Sequence, residues 1–342
     1  MWRMGDAWVA LWHRVESPAM DELLRFLLTQ SPQPAVLDSV EDWWKQHLAL
    51  AVRFSSPVDV AFAGGFAADR MAYAFASGYH SALRALLPSL PREHRYALCA
   101  TEAEGGHPSA MNTRLTGPSG GPWRLDGTKT FVTLGRAADE LLVVATEGQD
   151  ERGRNRLRLV RLDSRRAGVT LRDLPPPPFV PELPHAELHM DAVAVEPGEV
   201  LSGDGYERFV KPFRTVEDCH VFAAVLGWLL QVARRSPWPD DAREGLLALG
   251  VMLRGLAQAD AAAPETHLAL GGAIELVRGR IEALAPLWAS TDAPTRERWV
   301  RDRLLLQIAG KVRAKRRETA REKLSTLRGG TKESAMRSDP IR

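Results

Sequence analysis

The segment Trp123–Gly135 reads WRLDGTKTFVTLG, and it says more about the fold than any other stretch of the chain. It has the pattern of a strand that enters a turn at Gly127. The Pro175–Pro178 run predicts a stiff surface connection. Short segments separated by Gly and Pro over residues 96–205 predict a central β-barrel or β-sandwich. Its other strands are predicted at Leu141–Ala145, Leu157–Arg161, Val169–Leu171 and Ala186–Met190.

Helical patterns flank this central domain on both sides. Residues 1–95 are predicted to form an N-terminal helical domain, with apolar residues at helical spacing at Trp8–Val15, Leu23–Leu28 and Pro57–Leu87. Residues 206–330 are predicted to form a C-terminal helical bundle, and residues 331–342 a basic tail. The bundle helices are expected at about 212–235, 242–260, 264–289 and 294–327. The sequence thus predicts an α+β multidomain protein in the order helical, β, helical.

The composition is that of an ordinary globular protein. Of the 342 residues, 45% are hydrophobic and 26% are charged. Charged residues interrupt every long apolar run, so we expect no membrane-spanning helix. Cys99 and Cys219 lie far apart and outside any metal-binding spacing, and the N-terminus lacks the pattern of a secretory signal. These features predict a cytoplasmic protein without a metal site.

Charge is concentrated at one end of the chain. Residues 311–342 hold eleven Lys and Arg against four acidic residues, a local net charge of +7, whereas the whole chain has +2. A basic segment is able to contact nucleic acid or an acidic partner. However, no aromatic residue is interleaved with these basic residues, as it is in platforms that stack on bases. We therefore favour a solvated helix over nucleic-acid binding.

Common nucleotide motifs are missing, but two segments match a known family. Neither GxGxxG nor GxxxxGK[ST] occurs, nor does the zinc motif HExxH. The segment Tyr96–Thr101 (YALCAT) followed by Glu102, and the Trp123–Gly135 segment followed by Ala138-Asp139 and a Leu141–Val144 strand, resemble the acyl-CoA dehydrogenase family. The resemblance covers roughly residues 55–330. It implies FAD as cofactor and α,β-dehydrogenation of an acyl-CoA thioester, with hydride transfer to the flavin.

The resemblance also implies which residues hold the cofactor. Thr133 would face flavin N5, Phe131 would lie against the isoalloxazine ring, and Thr101 would meet its pyrimidine edge. Where the family has Gly-Ser-Asp in its phosphate-binding loop, this chain has Gly106 followed by His and Pro. Arg243 would grip the distal half of FAD, often that of a neighbouring subunit. The implied partners are an acyl-CoA, further copies of the chain in a homodimer or homotetramer, and an electron-transfer flavoprotein.

Glu217 is the candidate catalytic base. It shares a helical stripe with Val221 and Ala224, so its carboxyl lies among apolar neighbours and should have a raised pKa. Some branches of the family place their catalytic glutamate on this helix, ten residues before a glycine that corresponds to Gly227. The next residue in those branches is Arg, and here it is Asp218. The alternative is a glutamate near the helix start that interacts with the helix dipole.

The C-terminal part departs further from the family pattern. The arginine at Arg243 lacks the Phe-Gly that follows it in the family, and the Gln-x-x-Gly-Gly segment has lost its glutamine before Gly329-Gly330. We expect the usual closing segment after this point to be missing. A second hypothesis is therefore a catalytically impaired family member that acts as a scaffold or partner protein.

Overall fold

Four helices precede the sheet in the described part of the chain. The computed structural model describes residues 18–118 and 121–336, and the helix predicted at Trp8–Val15 lies outside them. The predicted helical segment Pro57–Leu87 forms two helices. It is interrupted because Arg70 is extended, with φ −152°, and because Asp69 accepts a hydrogen bond from the Leu37 N–H. The four helices are α1 (Pro18–Thr29), α2 (Val40–Arg53), α3 (Pro57–Ala67) and α4 (Met71–Leu86).

A single eight-stranded mixed sheet forms the centre. Its strands follow the order β6-β7-β3-β2-β4-β5-β8, and β1 pairs in parallel with β4. Every strand predicted from the sequence is present, and the Pro175–Pro178 run connects β6 to β7. The strands are β1 (Tyr96–Cys99), β2 (Arg114–Thr116), β3 (Trp123–Thr133), β4 (Glu140–Gln149), β5 (Asn155–Asp163), β6 (Val169–Asp173), β7 (His185–Val195) and β8 (Val200–Leu201).

The turn predicted at Gly127 is wrong, because β3 continues through this glycine to Thr133. The pairing of β3 with β7 shifts register between Leu125 and Gly127, which marks a bulge. Gly127 has φ +144°, and a Cβ there would lie 2.7 Å from the Cα of Thr113 on the loop before β2. The glycine therefore provides a bulge and a close approach of two chain segments.

Five helices follow the sheet in the described residues. The helix predicted at 294–327 is wrong as a single element: a 3₁₀ segment at Arg303–Gln307 and a left-handed Ala309, with φ +62°, divide it. The last helix runs to Met336, so the predicted start of a separate tail at residue 331 falls inside it. The helices are α5 (Lys211–Arg235), α6 (Asp240–Leu256), α7 (Pro264–Ala283), α8 (Ala293–Asp302) and α9 (Gly310–Met336).

Helix α5 is the central helix of the helical core. Gly65 on α3 allows close packing, because a Cβ there would overlap the carbonyl of Ala224. Gly227 on α5 does the same, since a Cβ there would overlap the carbonyl of Phe62 on α3. The helical segment Tyr206–Arg235 is long and apolar enough to cross a membrane, but 89% of its most apolar stretch is buried inside the protein. That burial is typical of a core helix.

Candidate active site

A cavity of about 670 Å³ lies where the sheet meets the C-terminal helices. The end of β3, the loop between β6 and β7, α5 and the start of α9 all contribute to its wall. The Pro175–Pro178 run is part of this wall, a role that the sequence did not indicate. The cavity has the size and the mixed polarity that are usual for small-molecule sites. Its polar and charged lining residues are Thr133, His185, Arg214, Glu217, Asp218, Arg313 and Arg316.

Phe131 and Thr133 bring β3 to this cavity. The pairing of β3 with β7 shifts register between Lys129 and Val132, and Phe131 has φ +55° at that irregularity. Val132 is fully buried, whereas Phe131 is 67% exposed. The bulge thus turns an aromatic ring out of the sheet and into the cavity, next to the Thr133 side chain. The structure brings these two predicted site residues together.

Glu217 lines the same cavity, on the first half of α5. Burial, and to a smaller extent the neighbouring carboxylate of Asp218, raise the pKa of its carboxyl to about 7. Arg214, Arg313 and Arg316 act in the opposite direction but do not cancel this effect. A carboxyl with a pKa close to neutral is suited to take up a proton from a substrate.

Asp218 is the acceptor in a cluster that the sequence did not reveal. Its Oδ1 accepts hydrogen bonds from Nε and Nη2 of Arg313 at 2.9 and 2.8 Å, and its Oδ2 accepts one from Arg316 at 2.5 Å. The two arginines are three residues apart on α9, so both point toward α5. A basic i, i+3 pair in the tail was visible in the sequence, but nothing local connected it to Asp218.

Thr101 and Gly106 lie at the edge of the site and not in its lining. The Thr101 carbonyl accepts a hydrogen bond from the Thr130 N–H at 2.8 Å, next to Phe131 on β3. A Cβ built on Gly106 would lie 3.7 Å both from Thr101 Oγ1 and from Nη2 of Arg214, which does line the cavity. Thr101 and Gly106 therefore lie near the rim of the cavity, because Gly106 is close to Arg214, which lines it.

Arg243 lies elsewhere. It is on α6, where its guanidinium donates hydrogen bonds to the carbonyls of Ala233 and Ser236 at 3.2 and 3.3 Å and to Asp240 at 3.0 Å. It therefore stabilises the C-terminal end of α5, a position that favours cations. That end is about 24 Å from Glu217 along the helix axis. The predicted contact of Arg243 with FAD stays a prediction.

A buried ion pair supports the wall behind Phe131. Lys129 on β3 is fully buried, and its Nζ lies 2.7 Å from Oε1 of Glu102. Burial lowers the pKa of Lys129. Burial alone would raise the pKa of Glu102, but its hydrogen bonds with Lys129 and the Thr113 N–H lower it overall. The pair fastens the loop after Thr101 to β3. Both residues belong to the motifs quoted above, where their opposite charges were the only indication of a pair.

The cavity fits the ring end of FAD, the cofactor that the resemblance implies. An exposed aromatic face at Phe131 and the hydroxyl of Thr133 are suited to the isoalloxazine ring. Arg214 is a lining cation that no described carboxylate pairs with, so it is suited to a negatively charged group. Arg313 and Arg316 are already paired with Asp218. The lining of the cavity thus suits the isoalloxazine ring of FAD, and Arg214 adds one positive charge beside it.

Comparisons with known proteins agree with the fold. Residues 97–193 match the family model for the middle domain of acyl-CoA dehydrogenases. No curated protein matches the sequence. Butyryl-CoA dehydrogenase from Megasphaera elsdenii is similar in structure, with TM-score 0.65, 16% identity and coverage of 88% of this chain and 94% of that one.

Two further solved structures share the fold at similar levels. An electron transferring flavoprotein of Acidaminococcus fermentans has TM-score 0.62 and 16% identity over 83% of this chain and 90% of that one. The FAD complex of PigA has TM-score 0.62 and 15% identity over 90% of this chain and 97% of that one. Residues 97–193 are therefore an acyl-CoA dehydrogenase middle domain, and the chain has the acyl-CoA dehydrogenase fold along almost its whole length.

Proposed function

We propose that the protein is a flavin-dependent oxidoreductase that removes hydrogen from the α and β carbons of an acyl thioester, with Glu217 as the base. The observation that carries this proposal is a carboxyl with a pKa of about 7 in the same cavity as Phe131 and Thr133. Its basicity suits abstraction of a proton next to a thioester carbonyl. When bound, FAD supplies the acceptor for the hydride that leaves the β carbon.

The residues of this chain would divide the remaining work. Phe131 would support the face of the flavin ring, and the Thr133 hydroxyl would hydrogen-bond near N5. Thr101 and Gly106 would border the pyrimidine edge and the phosphates, where Arg214 adds positive charge. The apolar Pro175–Pro178 wall would exclude water from the reacting carbons, which strengthens the electrostatic interactions inside. Arg243 would contact the distal half of FAD from a neighbouring copy.

The partners follow from the same proposal. The substrate would be an acyl-CoA or a related thioester, and the electrons would pass to an electron-transfer flavoprotein in the cytoplasm. The chain would form a homodimer or homotetramer. Exposed apolar side chains on the C-terminal helices support such an assembly, since they are 47 to 60% exposed. They are Leu276, Val300 and Leu304.

An anaerobic spectroscopic titration tests the proposal. Purified protein is loaded with FAD and mixed with acyl-CoAs of increasing chain length, and bleaching of the oxidised flavin band is recorded. We expect Glu217→Gln to keep FAD but to bleach about 10² to 10⁴ times more slowly, the usual contribution of a positioned base. Glu207→Gln serves as the control, because it removes an exposed carboxylate four residues before α5 begins at Lys211. Failure of the wild-type protein to take up FAD would overturn the proposal.

A second candidate function is a family member that has kept the fold without turnover. The observation that favours it is Arg243, whose guanidinium is engaged by the protein's own backbone. The same titration separates the two candidates, because FAD uptake without bleaching by any thioester supports the second. Nucleic-acid binding through α9 has less support, since Arg313, Arg316 and Arg317 form intramolecular ion pairs.

A further inference from the structure

A second cavity, of about 320 Å³, lies among the N-terminal helices on the other side of α5. His220 on α5 lines this cavity, whereas Glu217 and Val221 line the larger one. The remaining wall comes from α2, the start of α3, α4 and the segment after α6. The proposed flavin chemistry makes no use of this cavity.

The buried histidines that line this cavity are uncharged. Burial lowers the pKa of His80 to about 4 and that of His47 well below its usual value. His80 Nε2 donates to the carbonyl of His94 at 3.1 Å, so its Nδ1 accepts from His47 Nε2 at 3.2 Å. His47 Nδ1 then accepts from the hydroxyl of Ser77 at 3.4 Å. The ring nitrogens are thus occupied and carry no charge toward the cavity.

Two serine hydroxyls in the same cavity have no partner. Ser81 on α4 is 1% exposed, and its buried Oγ makes no hydrogen bond in the described protein. The same holds for the buried Oγ of Ser56, which precedes α3 without capping it. Burying a hydroxyl without a hydrogen-bond partner destabilises the folded protein. Both residues line the cavity, so a ligand that reaches these hydroxyls would supply the missing hydrogen bonds.

The charge around the cavity has one sign. Helix α3 begins at Pro57, and Pro57 and Val58 line the cavity, so the positive end of the helix dipole lies at the cavity wall. Arg84 and Arg92 line the cavity, and no described carboxylate forms an ion pair with either. Their guanidinium groups donate only long hydrogen bonds, of 3.4 to 3.5 Å, to backbone carbonyls, so their charge is not neutralised. Burial lowers the pKa of Arg84, Tyr96 acts in the opposite direction without cancelling it, and the smaller effects of Arg92 and Glu93 oppose each other. Asp59, in the first turn of α3, is neutralised by Arg254 at 2.6 Å.

We propose that this cavity binds a small organic carboxylate with a short apolar group. The carboxylate would be held by Arg84, the Ser81 and Ser56 hydroxyls and the start of α3. The apolar group would pack on the carbon surfaces of Phe54, which lines the cavity with its neighbours Val60, Ala51, Ala85 and Pro88. The volume leaves room for a few carbon atoms and is too small for a coenzyme A thioester.

Calorimetric titration of the full-length protein with acetate, butyrate and inorganic phosphate tests this assignment. Each additional buried methylene contributes about 0.8 kcal/mol, or roughly fourfold in affinity. We expect butyrate, with two more methylenes, to bind up to about fifteenfold more tightly than acetate, and phosphate more weakly than butyrate. Absence of butyrate binding at tens of millimolar, or equal affinity for all three anions, would overturn the proposal.

Variants locate the binding and separate it from folding. Arg84→Gln should weaken butyrate binding about tenfold or more, and Ser81→Ala about fivefold. Ser81→Ala should also leave Tm unchanged or raise it, because it removes an unpartnered buried hydroxyl. Arg152→Gln and Ser290→Ala, at exposed positions, and Arg214→Gln, at the larger cavity, should keep full affinity. Unchanged affinity in Arg84→Gln, or its loss in Arg214→Gln, contradicts the assignment.

Discussion

Lys129 is a buried lysine that the protein cannot easily replace, because its charge is paired with Glu102. Its ammonium group is fully buried and faces Glu102, which also accepts hydrogen bonds from the Asn112 and Thr113 N–H groups at 2.8 and 3.0 Å. Removing one member of a buried pair leaves the other charge uncompensated, at a cost of about 3–5 kcal/mol. Because Phe131 is two residues further along β3, the position of the cavity wall depends on this pair.

We therefore predict that Lys129→Met lowers the free energy of unfolding by about 3–5 kcal/mol, measured by urea denaturation. Adding Glu102→Gln to Lys129→Met should recover part of this loss, because the uncompensated carboxylate is gone. Lys45→Met replaces an exposed lysine and should change stability by less than about 0.5 kcal/mol. A Lys129→Met protein as stable as the wild type would show that the pair does not stabilise the domain.

Single residues also show what the sequence could and could not predict. The sequence places Phe131 and Thr133 in one site from a motif and adds Glu217 from its position on α5, and all three residues line one cavity. Their relation was predictable because family motifs record the surroundings of a site. Asp218 and its two arginines were not, since 95 residues separate Asp218 from Arg313. Position along the chain gives no information on such a contact.

At the scale of elements, the contact between α5 and the start of α9 closes the site. Asp218 on α5 holds Arg313 and Arg316 on α9, and Ile308 and Ala309 at the break before α9 line the cavity. The sequence predicted one helix across this break, because no proline or glycine pair marks it. Left-handed backbone at Ala309 depends on tertiary packing, which helical periodicity does not report.

We predict that Asp218→Asn loosens the first turns of α9. Two guanidinium groups would lose their charged acceptor, so amide hydrogen exchange in residues 311–320 should accelerate about tenfold or more. The pKa of Glu217 should fall at the same time, because the Asp218 carboxylate is one of the groups that raise it. Glu275→Gln serves as the control, because Glu275 is the exposed partner, on α7, of Arg317 on α9. Unchanged exchange in Asp218→Asn would mean that apolar packing alone holds α9.

At the scale of the whole molecule, buried histidines connect the helical parts to the sheet. His47 on α2 bonds to His80 on α4, and His80 bonds to the carbonyl of His94 just before β1. His220 on α5 donates from Nδ1 to the Val216 carbonyl at 2.7 Å. Protonation of His80 would place two N–H groups against each other between it and His47. The fold therefore depends on these rings staying neutral, which no pattern in the sequence indicated.

This dependence predicts a loss of stability in mild acid. Burial lowers the pKa of His80 and of His220 to about 4, and that of His47 also falls, whereas unfolded histidines titrate near 6.5. Their stabilising effect is complete above about pH 6.5 and is lost as the pH falls toward 4, by about 1.4 kcal/mol per pH unit for each histidine. Glu217 acts in the opposite direction between its unfolded and folded pKa values, because the folded protein binds its proton first. Three histidines outweigh one glutamate.

Urea denaturation between pH 7 and pH 4.5 measures this slope directly. His80→Gln should reduce it by about 1.4 kcal/mol per pH unit, since one proton-binding difference between the folded and unfolded chain is removed. The substitution also lowers the free energy of unfolding at pH 7. The test therefore compares how this free energy changes with pH, and not its value at one pH. His107→Gln, on an exposed loop, should leave the slope unchanged. A slope that His80→Gln does not alter would show that His80 takes up its proton equally in the folded and unfolded chain, contrary to its donor and acceptor pattern.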